Sequence, residues 1–299
     1  MAKIETLRRN AAQQKAGSAH VTRFTAEPRR EDDSVTAKLA IENVTHVFPT
    51  PNGGQLCVLE KISFEVRAGE FIAIIGASGS GKTTLLRIID HLVAPTEGSV
   101  RIDGERVERP GGKISFVFQR DSLWPWRTVM DNALYGLEIR KVPRVDAEMR
   151  AKRYLDLVGL TGFETYYPHQ LSGGMRQRVN LARALTVEPD ILLMDEPFAA
   201  LDAQTREMMQ IELTRIWRET GKTILFVTHQ IDEAVFLGDR VVTLSARPGS
   251  VRAITEIAIE RPRDIRVKRT DQFQRYVGQH WDMIESEVMK GFTTTAAPG

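Results

Sequence analysis

The chain has 299 residues, 42% of them hydrophobic and 27% charged, and a formal net charge of +2. This balance is ordinary for a globular protein, and so small a net charge argues against a chain that mainly neutralises nucleic-acid phosphates. The single cysteine, Cys57, excludes an intrachain disulfide and a cysteine-rich zinc site.

The distribution of apolar residues argues against membrane insertion and secretion. No run approaches the ~18 apolar residues that a membrane span needs. The first residues, MAKIETLRRNAAQQ, lack the continuous apolar core of a secretory signal. We therefore expect a soluble, cytoplasmic protein that has no nucleic-acid partner and works at a membrane only through other proteins.

In chain order, a polar segment comes first and strands follow it. Residues 1–36 lack apolar periodicity and predict a flexible tail, with a docking or regulatory arm as the alternative. Strands are predicted in LAIENVTHVF, KISFEV and EFIAIIG, with a turn at residues 51–54. The next segments are a helix, KTTLLRIID, and two further strands, GSVRIDG and KISFVF.

The second half of the chain alternates between helices and strands. Residues from about 127 to 190 have mainly helical spacing, and the buried-type strands ILLMD and TILFVTH then flank the helical TREMMQIELTRIWRET. VVTL and VRAITEIAI complete the strands before a final helix, QFQRYVGQHWDMIESEVM. This alternation predicts a parallel α/β core, and the short links between the early strands predict an antiparallel sheet beside it.

A glycine-rich segment, GASGSGKT at residues 76–83, fits the phosphate-loop pattern G-x-x-x-x-G-K-[ST] between a predicted strand and a predicted helix. Its glycines allow a tight turn in which backbone N–H groups converge on phosphate oxygens at a helix N-terminus. Lys82 can then reach the β- and γ-phosphates, and the Thr83 hydroxyl can bind Mg²⁺. The alternative is a glycine-rich turn that only caps a helix. The predicted phosphate-binding residues are Gly76, Ala77, Ser78, Gly79, Ser80, Gly81, Lys82, Thr83 and Thr84.

Two carboxylates follow the apolar strand in ILLMDEP at residues 191–197. Ligands of open α/β sheets bind at the carboxyl ends of such central strands. Asp195 there can hold Mg²⁺, and Glu196 can orient and deprotonate an attacking water. The pair is a weak signal alone and a strong one at domain-scale separation from a phosphate loop.

At this point the motifs resemble those of the ATP-binding-cassette (ABC) proteins. LSGGMRQRVNLARAL at residues 171–185 is similar to the signature motif of that family and lies just before the acidic strand, as it does there. Phe48 matches the aromatic residue that stacks on adenine, and Gln119 matches the glutamine between the core and the helical part. AALD, which ends at Asp202, and His229 resemble the last two motifs, so six motifs occur in the family order.

The resemblance implies a fold and a domain organisation. The fold is α/β, a RecA-like P-loop core with an antiparallel β subdomain and an inserted helical subdomain at about residues 120–175. The ABC ATPase domain then covers residues 37–270, followed by a C-terminal helix and tail at 271–299.

The resemblance also implies an ATPase that uses ATP and Mg²⁺. The implied catalytic residues are Glu196, His229 and Lys82, and the implied metal ligands are Thr83, Gln119 and Asp195. The implied nucleotide contacts beyond the phosphate loop are Phe48, Gln119, Ser172, Gly173, Gly174 and Asp202. Ser172 can cap the signature helix, whose N-terminus faces the γ-phosphate held by another subunit, so the resemblance implies a homodimer that encloses two nucleotides.

One branch of the family is similar over QRDSLWPWRTVMDN at residues 119–132, over SARPGSV and over RPRD, namely the ATPases of nitrate, sulfonate and taurine importers. This likeness implies an integral membrane permease as partner, a solute-binding protein outside the cell, and a peripheral position at the cytoplasmic face of the inner membrane. Trp124 and Trp126 either contribute to the permease surface or pack the helical subdomain.

Three other functions are rival hypotheses for the same motifs. They are an exporter motor, a cassette ATPase of DNA repair or translation and a non-hydrolysing regulatory module. A GTPase would require an N-K-x-D motif, which the chain lacks. Asp90 and His91 stand where many relatives have a small residue followed by glycine, which predicts a changed end of the phosphate-loop helix and no loss of chemistry.

Overall fold

The computed structural model describes residues 37–119 and 122–295, with side chains up to Ser286. The predicted tail at 1–36 and the end of the chain at 296–299 therefore lie outside the described residues.

The first sheet is antiparallel and four-stranded, as the early strands predicted. It consists of β1 (Leu39–Pro49), β2 (Gln55–Val66), β4 (Glu97–Ile102) and β5 (Glu105–Arg106), in the order β2-β1-β4-β5. The predicted turn at residues 51–54 joins β1 to β2, and the two-residue β5 is too short for a sequence pattern to reveal. Apolar side chains of this sheet pack on one face of the phosphate-loop strand and its helix.

The second sheet carries the parallel core. Its strands are β3 (Phe71–Gly76), β6 (Ile114–Val117), β7 (Ile191–Asp195), β8 (Thr223–Val227), β9 (Arg240–Leu244) and β10 (Val251–Glu256), in the order β10-β9-β3-β8-β7-β6. Only β10 pairs in an antiparallel manner. β3, β7 and β8 are buried throughout, because both faces of the sheet are covered. Their carboxyl ends lie at one edge, where the phosphate loop, the acidic pair and His229 follow.

The helices follow the predicted order with one addition. They are α1 (Lys82–Ile89), α2 (Val129–Ile139), α3 (Arg144–Leu157), α4 (Gly173–Thr186), α5 (Ala203–Thr220), α6 (Ile231–Leu237) and α7 (Asp271–Thr295). α2 and α3 lie within the predicted helical subdomain and pack on each other and on α4. α6 was not predicted, because its seven residues span too few turns to show a period. Among the described residues, no helix combines the length and apolarity that crossing a membrane requires.

The segment after β10 is fastened to α6 by a buried arginine. The Arg263 guanidinium donates hydrogen bonds to the carbonyl oxygens of Val235, Phe236 and Gly238 at 2.7–3.0 Å. Burial lowers the pKa of Arg263 to about 10. On the buried face of α7, His280 Nδ1 lies 3.0 Å from the Thr243 hydroxyl of β9. Burial lowers the pKa of His280 to about 4. The C-terminal segment is therefore packed onto the core through β9 and α6.

The end of α1 is formed by Asp90 and His91. Asp90 caps the helix, and its buried carboxylate accepts a hydrogen bond from the Gly111 N–H at 3.2 Å. Burial raises the pKa of this carboxyl group. His91 follows with φ +55, in the left-handed region that favours glycine. A histidine therefore occupies a position whose backbone conformation favours glycine.

We expect His91→Gly to raise the free energy of unfolding by about 1 kcal/mol, because glycine adopts positive φ without the steric cost of a Cβ atom. Urea denaturation monitored by circular dichroism measures the change. His91→Ala is the control, since it removes the imidazole and keeps the Cβ. A gain with alanine as large as with glycine would place the cost in the side chain and contradict the backbone explanation.

Candidate functional site

The phosphate loop connects β3 to α1 and is braced by its own lysine. Lys82 Nζ donates hydrogen bonds to the carbonyl oxygens of Gly76 at 2.9 Å and Ala77 at 3.0 Å. The side chain is buried, and this desolvation lowers the pKa of Lys82 against the opposing effect of Glu196 and Asp195. Gly81 precedes the helix with φ +87, so the loop enters α1 through a left-handed residue. The loop thus has the tight, N–H-rich form that a phosphate group requires.

Two oxygen groups predicted as Mg²⁺ ligands are in contact. Thr83 Oγ1, in the first turn of α1, donates a hydrogen bond to Asp195 Oδ1 at the end of β7, at 3.1 Å. Burial raises the pKa of the Asp195 carboxyl group. Mg²⁺ is usually held by one or two carboxylates together with substrate phosphates and water. A hydroxyl and a carboxylate beside a phosphate loop fit that chemistry. The described residues form no group of three or more His, Cys, Asp or Glu side chains around a metal position.

Two predicted site residues, His229 and Gln119, contact the carboxylate of a third, Glu196. Its Oε2 lies 3.2 Å from His229 Nδ1, and Gln119 Nε2 donates a hydrogen bond to the same oxygen at 3.5 Å. Glu196 itself has φ +46, and its N–H donates to the Val227 carbonyl at the end of β8. A non-glycine residue in the left-handed region often accompanies a functional constraint. The amide of Gln119 therefore contacts the predicted base rather than the Thr83–Asp195 pair.

Of these groups, Lys82, Thr83, Glu196 and His229 border a cavity of about 740 Å³. Its lining residues are Phe48, Leu56, Val58, Ser78, Gly79, Gly81, Lys82, Thr83, Thr84, Glu196, His229 and Arg247. Phe48 is 38% exposed and stands at 81° to the His46 ring, with the ring centroids 4.4 Å apart. One wall is therefore apolar and carries an aromatic face, while the floor is the phosphate loop. A cavity of this size and mixed polarity suits a nucleotide.

The predicted signature residues lie away from this cavity in the same chain. Ser172 caps α4 and accepts a hydrogen bond from the Met175 N–H at 3.3 Å. Gly173 borders a different depression, which it shares with Gln119 and residues 199–201. Asp202 caps α5, accepting hydrogen bonds from the Thr205 N–H and hydroxyl that lower its pKa. The N-terminus of α4 is thus exposed at the surface. It does not face the phosphate loop of the same chain.

Two residues that shape the site were not predicted from the sequence. Arg247 lines the cavity, and its segment SARPGSV indicates only a family resemblance. Glu233, in α6, is buried and accepts hydrogen bonds from the Thr228 hydroxyl at 2.5 Å and the Gln210 amide at 3.0 Å. Burial raises the pKa of Glu233. Because Thr228 precedes His229, this buried network holds the turn that presents His229 to Glu196.

The likeness to known proteins covers most of the chain. Residues 59–199 match the family model described as ABC transporter. The chain is 39% identical over 263 residues to the taurine import ATP-binding protein TauB of Roseobacter denitrificans, covering 85% of this chain and 97% of that protein. It is 44% identical over 246 residues to the nitrate import ATP-binding protein NrtD of Synechocystis sp., covering 80% of this chain and 91% of that protein.

A solved structure shares the fold. It is the dimeric, post-hydrolysis state of an ATP-binding cassette bound to ADP and Pi. The TM-score is 0.65 at 34% sequence identity, over 74% of this chain and 100% of that chain. The α/β fold with a phosphate-loop core and an antiparallel sheet is therefore shared by a dimeric cassette in a post-hydrolysis state.

Proposed function

This chain belongs to the ABC transporter family, and we propose that it powers the uptake of a small anionic solute, such as nitrate, taurine or another sulfonate, through a separate permease. The chain binds ATP and is an ATPase of the importer branch. The observation that carries the proposal is a single cavity lined by Lys82, Thr83 and the Glu196–His229 pair, with Asp195 in contact with Thr83. The import function of the relatives supports the direction of transport and the class of solute.

In the proposed complex, each wall of the cavity binds one part of the nucleotide. The exposed ring of Phe48 stacks on adenine. The N–H groups of residues 76–84 surround the phosphates, and Lys82 exchanges its two carbonyl partners for β- and γ-phosphate oxygens. Thr83 and Asp195 would hold Mg²⁺, which neutralises charge on the phosphates when bound. Gln119, whose amide contacts Glu196, is assigned to the side of the base.

Hydrolysis is assigned to Glu196 and His229. The carboxylate of Glu196 orients a water molecule for in-line attack and accepts its proton. His229, whose Nδ1 lies 3.2 Å from Glu196, stabilises that arrangement and can donate a hydrogen bond to the γ-phosphate. The Glu196 N–H donates a hydrogen bond to the Val227 carbonyl, two residues before His229, which helps to keep the two residues close together.

A second copy of the chain completes each site. Ser172, Gly173 and Gly174 do not line the cavity of their own chain, yet they form a helix N-terminus, exposed at Ser172 and Gly173, that suits a phosphate. A head-to-tail pair with two-fold symmetry would bring this terminus, together with Asp202, against the γ-phosphate of the partner. The dimeric cassette that shares the fold supports this arrangement.

The permease surface is assigned to the aromatic segment before α2. Trp126 is 68% exposed, while Trp124 packs between Trp126 and Tyr135 with ring centroids 5.1 and 5.6 Å apart. Trp124 therefore packs the helical part, and Trp126 is left for a partner. The complex we propose lies at the cytoplasmic face of the inner membrane, and an external solute-binding protein delivers the solute.

Uptake by the source organism tests the proposal. We expect a strain that lacks this gene to lose growth on nitrate as sole nitrogen source, or on taurine or another sulfonate as sole sulfur source. The wild-type gene should restore both growth and uptake of the labelled solute, and the Lys82→Ala gene should restore neither, because ATP no longer drives transport. Unchanged growth and uptake on all these solutes would overturn the proposed solute class.

A further inference from the structure

The loop at residues 245–250, between β9 and β10, is closed on itself by a serine. The Ser245 hydroxyl donates a hydrogen bond to the Pro248 carbonyl at 3.0 Å and accepts one from the Ser250 N–H at 2.9 Å. The Ser245 N–H donates to the Ser250 carbonyl, also at 2.9 Å. These bonds fix the base of the loop, so that residues 247–249 project from it in a defined way.

Gly249 allows the tip of this loop to pack closely against the phosphate loop. Its N–H donates to the Val58 carbonyl and its carbonyl accepts from the Glu60 N–H, both at 2.9 Å, so it pairs with β2. A Cβ atom at this position would lie 2.0 Å from the Ser80 carbonyl oxygen, a distance that no side chain tolerates. Glycine is therefore required here, and the loop lies directly on the backbone of the phosphate loop.

The same placement brings Arg247 to the rim of the nucleotide cavity. Its Nε lies 3.5 Å from the Gly79 carbonyl oxygen, at the outer limit of a hydrogen bond. A Cβ atom on Gly79 would lie 3.0 Å from Arg247 Nη2, so the absence of a side chain at that position leaves room for the guanidinium. Arg247 lines the cavity together with Ser78 and Gly79.

The chemistry of this position favours an anion. A guanidinium presents five N–H donors in a planar fork that matches phosphate oxygens, and it stays charged at any physiological pH. The neutral Gly79 carbonyl, at the end of a long hydrogen bond, is a weak acceptor for this guanidinium. A charged phosphate oxygen would be a much stronger acceptor. Lys82 lies deeper in the same cavity. A phosphate held there would therefore be approached by positive charge from two directions.

We propose that Arg247 binds a phosphate oxygen of the nucleotide from the rim of the cavity and so contributes to ATP affinity. This inference rests on the proposed function, because it assigns an additional residue to the same nucleotide site. Arg247 is a binding residue in this scheme, and the rate of the chemical step is left to Glu196 and His229. The closed loop and Gly249 serve to hold its guanidinium at a fixed distance from the phosphate loop.

The test compares Arg247→Ala, Arg247→Lys and wild type in the full-length chain. We expect the dissociation constant for ATP, measured by calorimetry with Mg²⁺, to rise about tenfold in Arg247→Ala, the usual effect of losing a hydrogen bond to a charged group. The KM for ATP should rise similarly while kcat changes less than threefold. Arg247→Lys should recover part of the affinity, and added salt should weaken ATP binding by wild type more than by Arg247→Ala.

Arg275→Ala is the matched control, because Arg275 is an exposed arginine on α7 that does not line the cavity. It should leave ATP affinity unchanged. Equal affinities for ATP in Arg247→Ala and wild type would overturn the inference. So would a loss of affinity that lysine does not reduce and that accompanies a lower denaturation midpoint, because the loop would then be acting structurally. If wild type itself neither binds nor hydrolyses ATP, the proposed function fails, which is a distinguishable result.

Discussion

Glu196→Gln should bind ATP with nearly wild-type affinity and hydrolyse it at least about 10²-fold more slowly, the usual contribution of a general base. Glutamine has the shape of glutamate and keeps one oxygen near His229 and Gln119, but an amide cannot accept the proton of the attacking water. Calorimetric titration with ATP and a steady-state assay of phosphate release measure the two effects separately. In this variant the affinity for ATP should therefore stay nearly unchanged while the rate of hydrolysis falls.

Glu207→Gln is the control for this substitution, because Glu207 is an exposed glutamate on α5. It should hydrolyse ATP at the wild-type rate. A second readout follows from the shared site, since slow hydrolysis should let Glu196→Gln accumulate as an ATP-bound dimer in gel filtration. Near-normal turnover by Glu196→Gln would contradict the role of Glu196 as the base and would require another proton acceptor.

The convergence of the site could be predicted because it depends on local rules. The phosphate loop, Asp195 and His229 each follow a buried strand, and parallel neighbours end at the same edge of a sheet. The contact between Thr83 and Asp195, 112 residues apart, follows from strand order once β3 and β7 are recognised as parallel core strands. The motifs also predicted that Ser172 would cap a helix, and it does.

The parts that could not be predicted depend on tertiary contacts without a sequence period. The position of Arg247 is set by the contact of Gly249 with the Ser80 carbonyl, which no spacing rule relates. Glu233 has the sequence pattern of a solvent-facing residue, yet it is buried, and its carboxylate accepts hydrogen bonds from Thr228 and Gln210. The left-handed backbone of Glu196 likewise accompanies a long-range hydrogen bond, from its N–H to the Val227 carbonyl of β8. Local propensity is overridden at these particular positions because long-range contacts hold them.

Lysine 82 offers the clearest separation between function and folding. Its amine is buried among carbonyl oxygens, and because this burial lowers its pKa, the charged form is less favoured in the folded chain than in the unfolded one. Stability should consequently rise as the pH increases through the lowered pKa of Lys82. The charge is therefore retained at an energetic cost to the fold, which is expected of a group that is placed to meet a phosphate.

Lys82→Met keeps most of the aliphatic stem and removes the charge. We expect its rate of ATP hydrolysis to fall by about 10²–10³-fold, as when a single donor to a developing anion is removed. Its free energy of unfolding without nucleotide should stay within about 1 kcal/mol of the wild-type value, because the desolvation cost and two hydrogen bonds are lost together.

Thermal unfolding with and without ATP adds a direct test, since ligand binding stabilises the folded state. ATP and Mg²⁺ should raise the midpoint of wild type and not that of Lys82→Met. An equal rise in both proteins would contradict the phosphate contact, and a loss of several kcal/mol without nucleotide would assign Lys82 mainly to the fold.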